Sequence, residues 1–226
     1  MSDPSAKRAE LDDMGSPFLH ALANTRLYAL TDRPLSGLSH AEQLVKLSAA
    51  GLKLVQLREK VLSPSEFYKD AELAVRVARQ NGVTVIVNDR VDLAVAVHAN
   101  GVHVGQDDLS PEVARRLMGD DAIIGVSTHN LDQAREAAKL PVNYVAIGPI
   151  FATQTKQSAD AEVGLIGLRR VREALQDMPL VAIGGITAEN GKEVLTAGAD
   201  AIAVIKTLWN STGTVAAQAA QLLHLS

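Results

Sequence analysis

Short apolar runs rich in β-branched residues alternate with longer amphipathic stretches along most of this chain. In the longer stretches, apolar residues recur at positions i, i+3 and i+4, as on the buried face of a helix. Glycine, asparagine or aspartate separates many of the segments, as is typical of places where a strand or helix ends. The eight short runs predict strands at 26–32, 53–59, 83–89, 101–105, 122–128, 144–148, 180–185 and 201–206.

The order of these segments predicts the fold class. Because a helical stretch separates successive strands almost everywhere, the pattern indicates βαβ units and a parallel sheet. Eight such units match an α/β fold, the (β/α)₈ TIM barrel. A doubly wound open sheet fits less well, since the first turn, at 31–37, lacks a GxGxxG pattern. We therefore predict a single barrel domain over 26–226 and a short extension at 1–25 that is flexible or forms a short helix near 18–23.

Composition narrows the classes of function. The chain has 226 residues, is 47% hydrophobic and carries a formal net charge of -4, which argues against nucleic acid or an anionic membrane as its main partner. It contains no cysteine, which excludes disulfides, thiolate catalysis and cysteine–metal sites. No apolar run approaches the roughly 18–20 residues that span a bilayer, and no secretion signal is visible. We expect a cytoplasmic protein that acts on small molecules, and leave homo-oligomerisation open.

Three polar side chains, two of them cationic, mark the second predicted strand. Gln56, Arg58 and Lys60 are spaced by two residues, so they point to the same side of that strand, opposite to Leu57. At the carboxyl end of a barrel strand, that side is the mouth of the barrel, where the active sites of such barrels lie. Arginine and lysine there favour an anion such as a phosphate. A salt-bridged polar plug is the alternative.

Carboxylates follow the next two predicted strands. Asp89 lies at the end of the third predicted strand, and Asp107 and Asp108 come after the fourth. Carboxylates beside an anion site would repel the anion unless a cation lies between them, and Mg²⁺ accepts oxygen ligands from carboxylates, water and phosphate. The spacing does not distinguish Asp108 from Asp107 as a ligand, and helix N-caps are the alternative role.

The last strands and one long loop predict a second anion site. The seventh predicted strand ends in Gly184 and Gly185, and the eighth ends at Lys206 before a new helix. In such barrels the loops after strands 7 and 8 commonly bind a monophosphate through backbone N–H groups; a tight turn without a ligand is the alternative. The polar loop at 148–159 carries Lys156 and three hydroxyls, and we expect it to close over both sites as a lid.

Six segments together resemble the thiamine-phosphate synthase family. They are VQLREK, VNDRVDLA, GVHVGQDDL, IIGVSTHN, YVAIGPIFATQTK and AIGGI, and they occur in the expected order within 26–210. Members of that family are (β/α)₈ barrels that join a pyrimidine methyl diphosphate to a thiazole phosphate, or its carboxylate, and release diphosphate with the help of Mg²⁺. The resemblance therefore implies a transferase of thiamine biosynthesis that works through a dissociative, carbocation-like step.

The resemblance also implies a role for each matching residue. For the pyrimidine diphosphate it implies contacts from Gln56, Arg58, Lys60, Asn88, Ser127 and Lys156. For the thiazole phosphate it implies contacts from Thr153, Thr155, Gly185, Ile205 and Lys206. It assigns Mg²⁺ to Asp89 and Asp108, and it assigns catalysis to Lys156, Arg58, Lys60 and Ser127. The thiazole nitrogen attacks without losing a proton, so His103 is expected to be structural and His129 a minor polar contact.

Two residues depart from the family pattern. Ala152 stands where the family loop usually has proline, and Lys206 stands where the family usually has serine.

Three other functions are alternatives to the synthase. A thiazole tautomerase would have no use for the cations of the second strand or the aspartate pair. A phosphate-handling lyase or epimerase could use Asp32 and Lys206 for proton transfer. A protein that only binds thiamine precursors is the third alternative.

Overall fold

Eight parallel strands form a closed barrel in this computed structural model, which describes residues 22, 25–153, 161–209 and 213–224. The strands are β1 (Leu27–Leu30), β2 (Leu54–Leu57), β3 (Thr84–Asn88), β4 (Gly101–Val104), β5 (Ile123–Thr128), β6 (Tyr144–Ile147), β7 (Leu180–Ile183) and β8 (Ala201–Val204). They are hydrogen-bonded in sequence order, and β1 also pairs with β8 and so closes the barrel. The predicted TIM barrel and all eight predicted strands are confirmed.

Helices connect the strands around the outside of the barrel. The described helices are α1 (Arg33–Ser36), α2 (His40–Ala49), α3 (Pro64–Gln80), α4 (Val91–Ala96), α5 (Pro111–Met118), α6 (Leu131–Ala137), α7 (Gly164–Leu175), α8 (Gly191–Thr196), α9 (Lys206–Trp209) and α10 (Val215–Leu223). The sequence pattern did not predict α1, a single turn whose N-cap is Asp32. None of the described helices combines the length and the apolar character that crossing a membrane requires.

Alternate strand residues pack into two separate layers. Every second residue of a strand, such as Val55 and Leu57 of β2, packs between the sheet and the helices. The other faces the barrel interior, where a smaller cluster contains Tyr28, Leu30, Leu54, Ile86, Ile123, Tyr144, Ala146, Val181, Ala201 and Ala203. This alternation is the expected consequence of side chains that point to opposite faces of successive strand positions. Gln56 lies between Val55 and Leu57 and therefore faces the interior, as predicted.

Most of the N-terminal extension lies outside the described residues. Leu22 is 4% exposed and belongs to the cluster inside the barrel. Its carbonyl accepts a hydrogen bond from the backbone N–H of Arg26 at 2.8 Å. The possible helix near 18–23 falls on undescribed residues except for Leu22, and the domain boundary at 25/26 stays a prediction.

One of the two tyrosine rings inside the barrel lies over a glycine. Gly125 of β5 pairs with His103 of β4 on one side and with Tyr144 of β6 on the other. The two rings meet above the glycine, with ring centroids 5.4 Å apart and planes inclined by 24°. A Cβ atom on Gly125 would lie 2.0 Å from Cζ of Tyr144. The stacked pair therefore requires a residue without a side chain between them.

We predict that Gly125→Ala destabilises the barrel by forcing the Tyr144 ring out of its place. Overpacking of this kind costs about 1–3 kcal/mol, and the free energy of unfolding from urea titration measures it. Tyr144→Leu removes the ring atoms that the new methyl group would strike, so the double variant should lose less than the sum of the two single variants. An unchanged free energy of unfolding for Gly125→Ala would contradict this account of the core.

Candidate active site

One wide cavity of ≈ 1310 Å³ lies at the carboxyl ends of the strands. Every site residue predicted from the sequence that the structure describes lines this cavity. These residues are Gln56, Arg58, Lys60, Asn88, Asp89, Asp108, Ser127, Thr153, Gly185, Ile205 and Lys206. Thr155 and Lys156 fall in the segment 154–160, outside the described residues. The structure thus brings both predicted substrate sites to the same opening.

The two cations after β2 are held by carboxylates. Arg58 donates from Nη1 to Oδ2 of Asp32 at 2.8 Å, and the two side chains are 18% and 7% exposed. Lys60 donates from Nζ to Oδ2 of Asp89 at 2.5 Å, but its side chain is 53% exposed. Both cations follow the strand and do not belong to it, contrary to the prediction, because β2 ends at Leu57. Both nevertheless line the cavity.

A buried carboxylate shapes the segment that carries these cations. Glu59 accepts backbone N–H groups of Lys60, Val61 and Leu62 at 2.7, 2.5 and 3.0 Å. Its other oxygen lies 3.1 Å from Nε2 of the fully buried His40. Burial would raise the pKa of Glu59, but these hydrogen bonds lower it below its ordinary value. Sequence reasoning missed both residues, because neither periodicity nor spacing reveals such partners.

Two facing carboxylates occupy the side of the cavity between β3 and β4. Burial raises the pKa of Asp108, and the nearby Asp89 carboxylate raises it further. The backbone N–H of Gly105 donates to Asp108 at 2.7 Å and lowers that pKa. Asp108 is therefore the carboxylate that interacts with Asp89. This favours Asp108 over Asp107 as the second candidate metal ligand. Among the described residues, no group of three or more histidine, aspartate or glutamate side chains could hold a metal. A cation here would take its remaining ligands from water and substrate.

Charge balance on this side of the cavity favours an added cation. Arg58 and Lys60 face the carboxylates of Asp32, Asp89 and Asp108. Because these three carboxylates outnumber the two cations among the described residues on this side, a diphosphate that met only them would face a net negative surface. Mg²⁺ between Asp89 and Asp108 would reverse that balance and supply an oxygen-seeking ion to the diphosphate.

A chain of hydrogen bonds runs through the barrel interior beneath the cavity. Gln56 donates from Nε2 to the Tyr28 hydroxyl at 3.0 Å, and the hydroxyls of Tyr28 and Tyr144 are 3.1 Å apart. The Tyr144 hydroxyl lies 2.9 Å from Nδ1 of His103, whose Nε2 lies 2.8 Å from Oγ of Ser127. Burial lowers the pKa of His103 to about 4, although the Asp89 carboxylate opposes this. His103 therefore supports Ser127 from below.

The glycines after β7 serve the loop that follows β6. Gly184 and Gly185 have positive φ angles of 103° and 65°. A Cβ atom on Gly184 would lie 2.6 Å from Cα of Pro149, and one on Gly185 would lie 2.8 Å from the carbonyl oxygen of Ala152. The backbone N–H of Phe151 donates to the Gly184 carbonyl at 3.1 Å. The two glycines are thus required by close backbone approach, whether or not a phosphate binds beside them.

The start of this loop is also held by β5. Nδ1 of His129 lies 2.7 Å from the carbonyl oxygen of Gly148. Thr153 is the last described residue before the gap, and it lines the cavity together with Ile205 and Lys206 from the end of β8. The expected closure of the loop over the cavity concerns residues outside the described part of the chain and stays a prediction.

Comparison with known proteins agrees with this arrangement. A family model described as thiamine monophosphate synthase matches residues 27–208. A thiamine-phosphate synthase of Koribacter versatilis (strain Ellin345) is 47% identical over 207 residues, which cover 88% of this chain and 96% of that protein. Another, of Clostridium novyi (strain NT), is 44% identical over 186 residues, which cover 82% of this chain and 91% of that protein.

The solved structure of a thiamine phosphate pyrophosphorylase from Pyrococcus furiosus has the same fold. It superposes with a TM-score of 0.80 and 34% sequence identity, over 89% of this chain and 95% of that chain. These matches cover the barrel and the strand ends that carry the candidate site. The chain therefore belongs to the thiamine monophosphate synthase family, as the resemblance of its motifs implied.

Proposed function

We propose that the chain couples a pyrimidine methyl diphosphate with thiazole phosphate to give thiamine phosphate and diphosphate. The observation that carries this proposal is one cavity with two chemically different sides. Arg58 and Lys60 stand with an aspartate pair on the side of β2 to β4, and Gly185 and Lys206 stand on the side of β7 and β8. Membership of the family supports the same reaction. Both substrates are anionic, and each would have its own set of cationic or N–H groups.

The reaction needs charge neutralisation more than proton transfer. Breaking the bond between the exocyclic carbon and the diphosphate oxygen leaves both bonding electrons on the diphosphate, while the amino group of the pyrimidine ring donates electrons to the carbon. Arg58 and Lys60 would stabilise the leaving diphosphate. Lys156, outside the described residues, would add a third cation from the loop. The thiazole nitrogen then attacks the carbon with its lone pair, and no general base is required.

The aspartate pair is the proposed magnesium site. Asp89 and Asp108 would hold the ion. Burial and the neighbouring Asp89 carboxylate raise the pKa of Asp108, and a bound cation would favour its ionised form. Bound there, Mg²⁺ would stabilise the negative charge on the diphosphate. Asn88 ends β3 beside Asp89 and lines the same side of the cavity, where its amide can bind the same substrate.

The thiazole phosphate would bind on the opposite side. Thr153, Gly185 and Ile205 line the cavity there, and their hydroxyl and backbone N–H groups would bind the phosphate. Lys206 adds a positive charge at the start of α9, so this departure from the family pattern is compatible with an anion. Positioning two substrates in one cavity is then the main catalytic task.

The structure weakens the lyase or epimerase alternative. That reading needs Asp32 as a proton-transfer group. Asp32 instead accepts from Arg58 and from the backbone N–H of Leu35, and it is absent from the described residues that line the cavity. The tautomerase alternative leaves Arg58, Lys60 and the aspartate pair without a task.

A coupling assay with purified protein tests the proposed function. Pyrimidine methyl diphosphate, thiazole phosphate and Mg²⁺ are mixed, and thiamine phosphate and diphosphate are followed over time. We expect both products in equal amounts, their formation to stop when a chelator is added, and activity to return with excess Mg²⁺. Binding of both substrates without turnover by folded protein would contradict the proposal and favour the binding-protein alternative.

Replacing Lys60 tests the diphosphate side of the cavity. Lys60→Met should raise the KM for the pyrimidine diphosphate by about tenfold to a hundredfold, because one charge-assisted contact to the substrate is lost. The melting temperature should change little, since the side chain is half exposed. Lys53→Met is the matched control: Lys53 lies just before β2, at the opposite end of the barrel, and bonds the carbonyl of Asn81. Equal effects of the two variants on KM would contradict the assignment.

Replacing Asp108 tests the magnesium site. Asp108→Asn removes one of the two proposed charged ligands, so the Mg²⁺ concentration for half-maximal activity should rise by at least about tenfold. Titration of activity with Mg²⁺ at saturating substrates measures the shift. Asp107→Asn, a variant of the adjacent carboxylate, should leave the titration nearly unchanged. A larger shift for Asp107→Asn than for Asp108→Asn would transfer the ligand role to Asp107.

A further inference from the structure

The segment that follows β2 has two cations on the cavity and a carboxylate away from it. Arg58 and Lys60 line the cavity, whereas Glu59, between them, is not among the described residues that do so. The side chain of Glu59 is 3% exposed, and its nearest ring partner, His40, is fully buried. A buried charge of this kind is costly unless several partners satisfy it, so its bonds show what it does.

Side chains, and not a neighbouring strand, bind the backbone N–H groups around Glu59. Oγ1 of Thr31 accepts the N–H of Arg58 at 3.0 Å. Oε1 of Glu59 accepts the next N–H groups, those of residues 60–62, at 2.7, 2.5 and 3.0 Å. One carboxylate oxygen and one hydroxyl thus bind four N–H groups, as a paired strand would do in a sheet. The conformation of the segment therefore depends on these two side chains.

His40 joins the two side chains that hold the segment. Its Nδ1 lies 2.7 Å from Oγ1 of Thr31, and its Nε2 lies 3.1 Å from Oε2 of Glu59. An ionised carboxylate only accepts, so Nε2 carries a proton. With His40 neutral, the Thr31 hydroxyl donates to Nδ1. With His40 charged, that hydroxyl turns to the carbonyl of Gln56, 3.2 Å away. In both states the Thr31 oxygen can accept the N–H of Arg58.

A second carboxylate fixes His40 from the side of α3. Asp70 accepts the backbone N–H of His40 at 2.9 Å and that of Ala41 at 3.2 Å. Arg33 donates to Asp70 at 2.8 Å, and its Nε lies 3.7 Å from Oε2 of Glu59. The guanidinium therefore lies near both carboxylates and offsets their charge. These bonds tie the starts of α1 and α2 to the segment after β2.

Burial excludes direct catalysis by this group. A hydroxyl, an imidazole and a carboxylate in series can activate a nucleophile where they face a substrate. Thr31 and His40 are each 0% exposed, and neither is among the described residues that line the cavity. The three side chains therefore act on the substrate only through the backbone that they hold.

We propose that Glu59 is a positioning residue that fixes the backbone from which Arg58 and Lys60 bind the pyrimidine diphosphate. His40 and Thr31 support it from the buried side. The proposal rests on the proposed function, which assigns the leaving diphosphate to these two cations. Without Glu59 the cations would keep their charge but lose their fixed starting points, so the affinity for that substrate would fall.

Amide hydrogen exchange of the full chain tests the support without any substrate. The N–H groups of residues 60–62 should exchange slowly, although the Val61 residue is 72% exposed. Glu59→Ala should speed their exchange at least about tenfold, because it removes their shared acceptor. Glu59→Gln keeps an acceptor oxygen in that place and should stay close to wild type. Equal exchange in Glu59→Ala and wild type would overturn the proposal even in an active synthase. The expected exchange in an inactive protein would refute only the proposed function.

Steady-state kinetics test what the support does for substrate binding. Glu59→Ala should raise the KM for the pyrimidine diphosphate about fivefold to thirtyfold and leave the KM for thiazole phosphate unchanged. Glu59→Gln should restore most of the affinity. Glu66→Ala is the matched control, because Glu66 also accepts a backbone N–H, that of Ser63, but lies outside 58–62. An equal rise of both KM values, or the same rise in the control, would overturn the positioning role.

A double-mutant cycle shows whether Glu59 acts through the cations. In a Lys60→Met background, Glu59→Ala should raise the KM for the pyrimidine diphosphate by a smaller factor than in wild type, because part of its effect passes through Lys60. Factors that multiply in full would mean that the two residues act independently, which contradicts the proposal.

Thermal melting shows whether Glu59→Ala is folded at the assay temperature. If it is not, Thr31→Val provides the second measurement. This change keeps the shape of the buried side chain but removes the oxygen that accepts the N–H of Arg58. The same selective rise in KM is expected, by about threefold to tenfold. Its absence in a folded Thr31→Val protein would overturn the proposal.

Discussion

Polar groups inside a closed barrel have no access to water and must bond to one another. The barrel interior of this protein carries Tyr28, Tyr144 and His103 just below the mouth, and hydrogen bonds join Tyr144 to both of the others. The arrangement depends on Gly125, because any side chain there would occupy the space in which the two rings stack. Gln56 and Ser127 are the two ends of this series of hydrogen bonds, and both line the cavity. The core and the candidate site are therefore connected.

A second constraint concerns charge. Arg58 and Lys60 are not free cations that wait for an anion, because Asp32 and Asp89 already bind them. These carboxylates hold the cations in place and offset their positive charge. A site of this kind accepts a diphosphate most readily together with a metal ion, which gives a physical reason for expecting the two to bind as a unit.

Much of this could be predicted from the sequence, because strand periodicity fixes which side chains face the interior and barrel topology fixes where the strand ends meet. Pairing partners could not be predicted in this way. His103 and Tyr144 are 41 residues apart in sequence, and nothing in either segment shows that they touch. The Glu59 contacts depend on how the chain turns after β2. The glycines after β7 suggested a phosphate, but the neighbouring loop already requires them.

The central claim is that one cavity holds two anions on opposite sides. A crystal structure of the protein with thiamine phosphate, diphosphate and Mg²⁺ tests it most directly. The account predicts the diphosphate beside Arg58 and Lys60, with the ion between it and the aspartate pair, and the phosphate of the product beside Gly185. Both anions on the same side, or a product phosphate bound outside the barrel mouth, would contradict it.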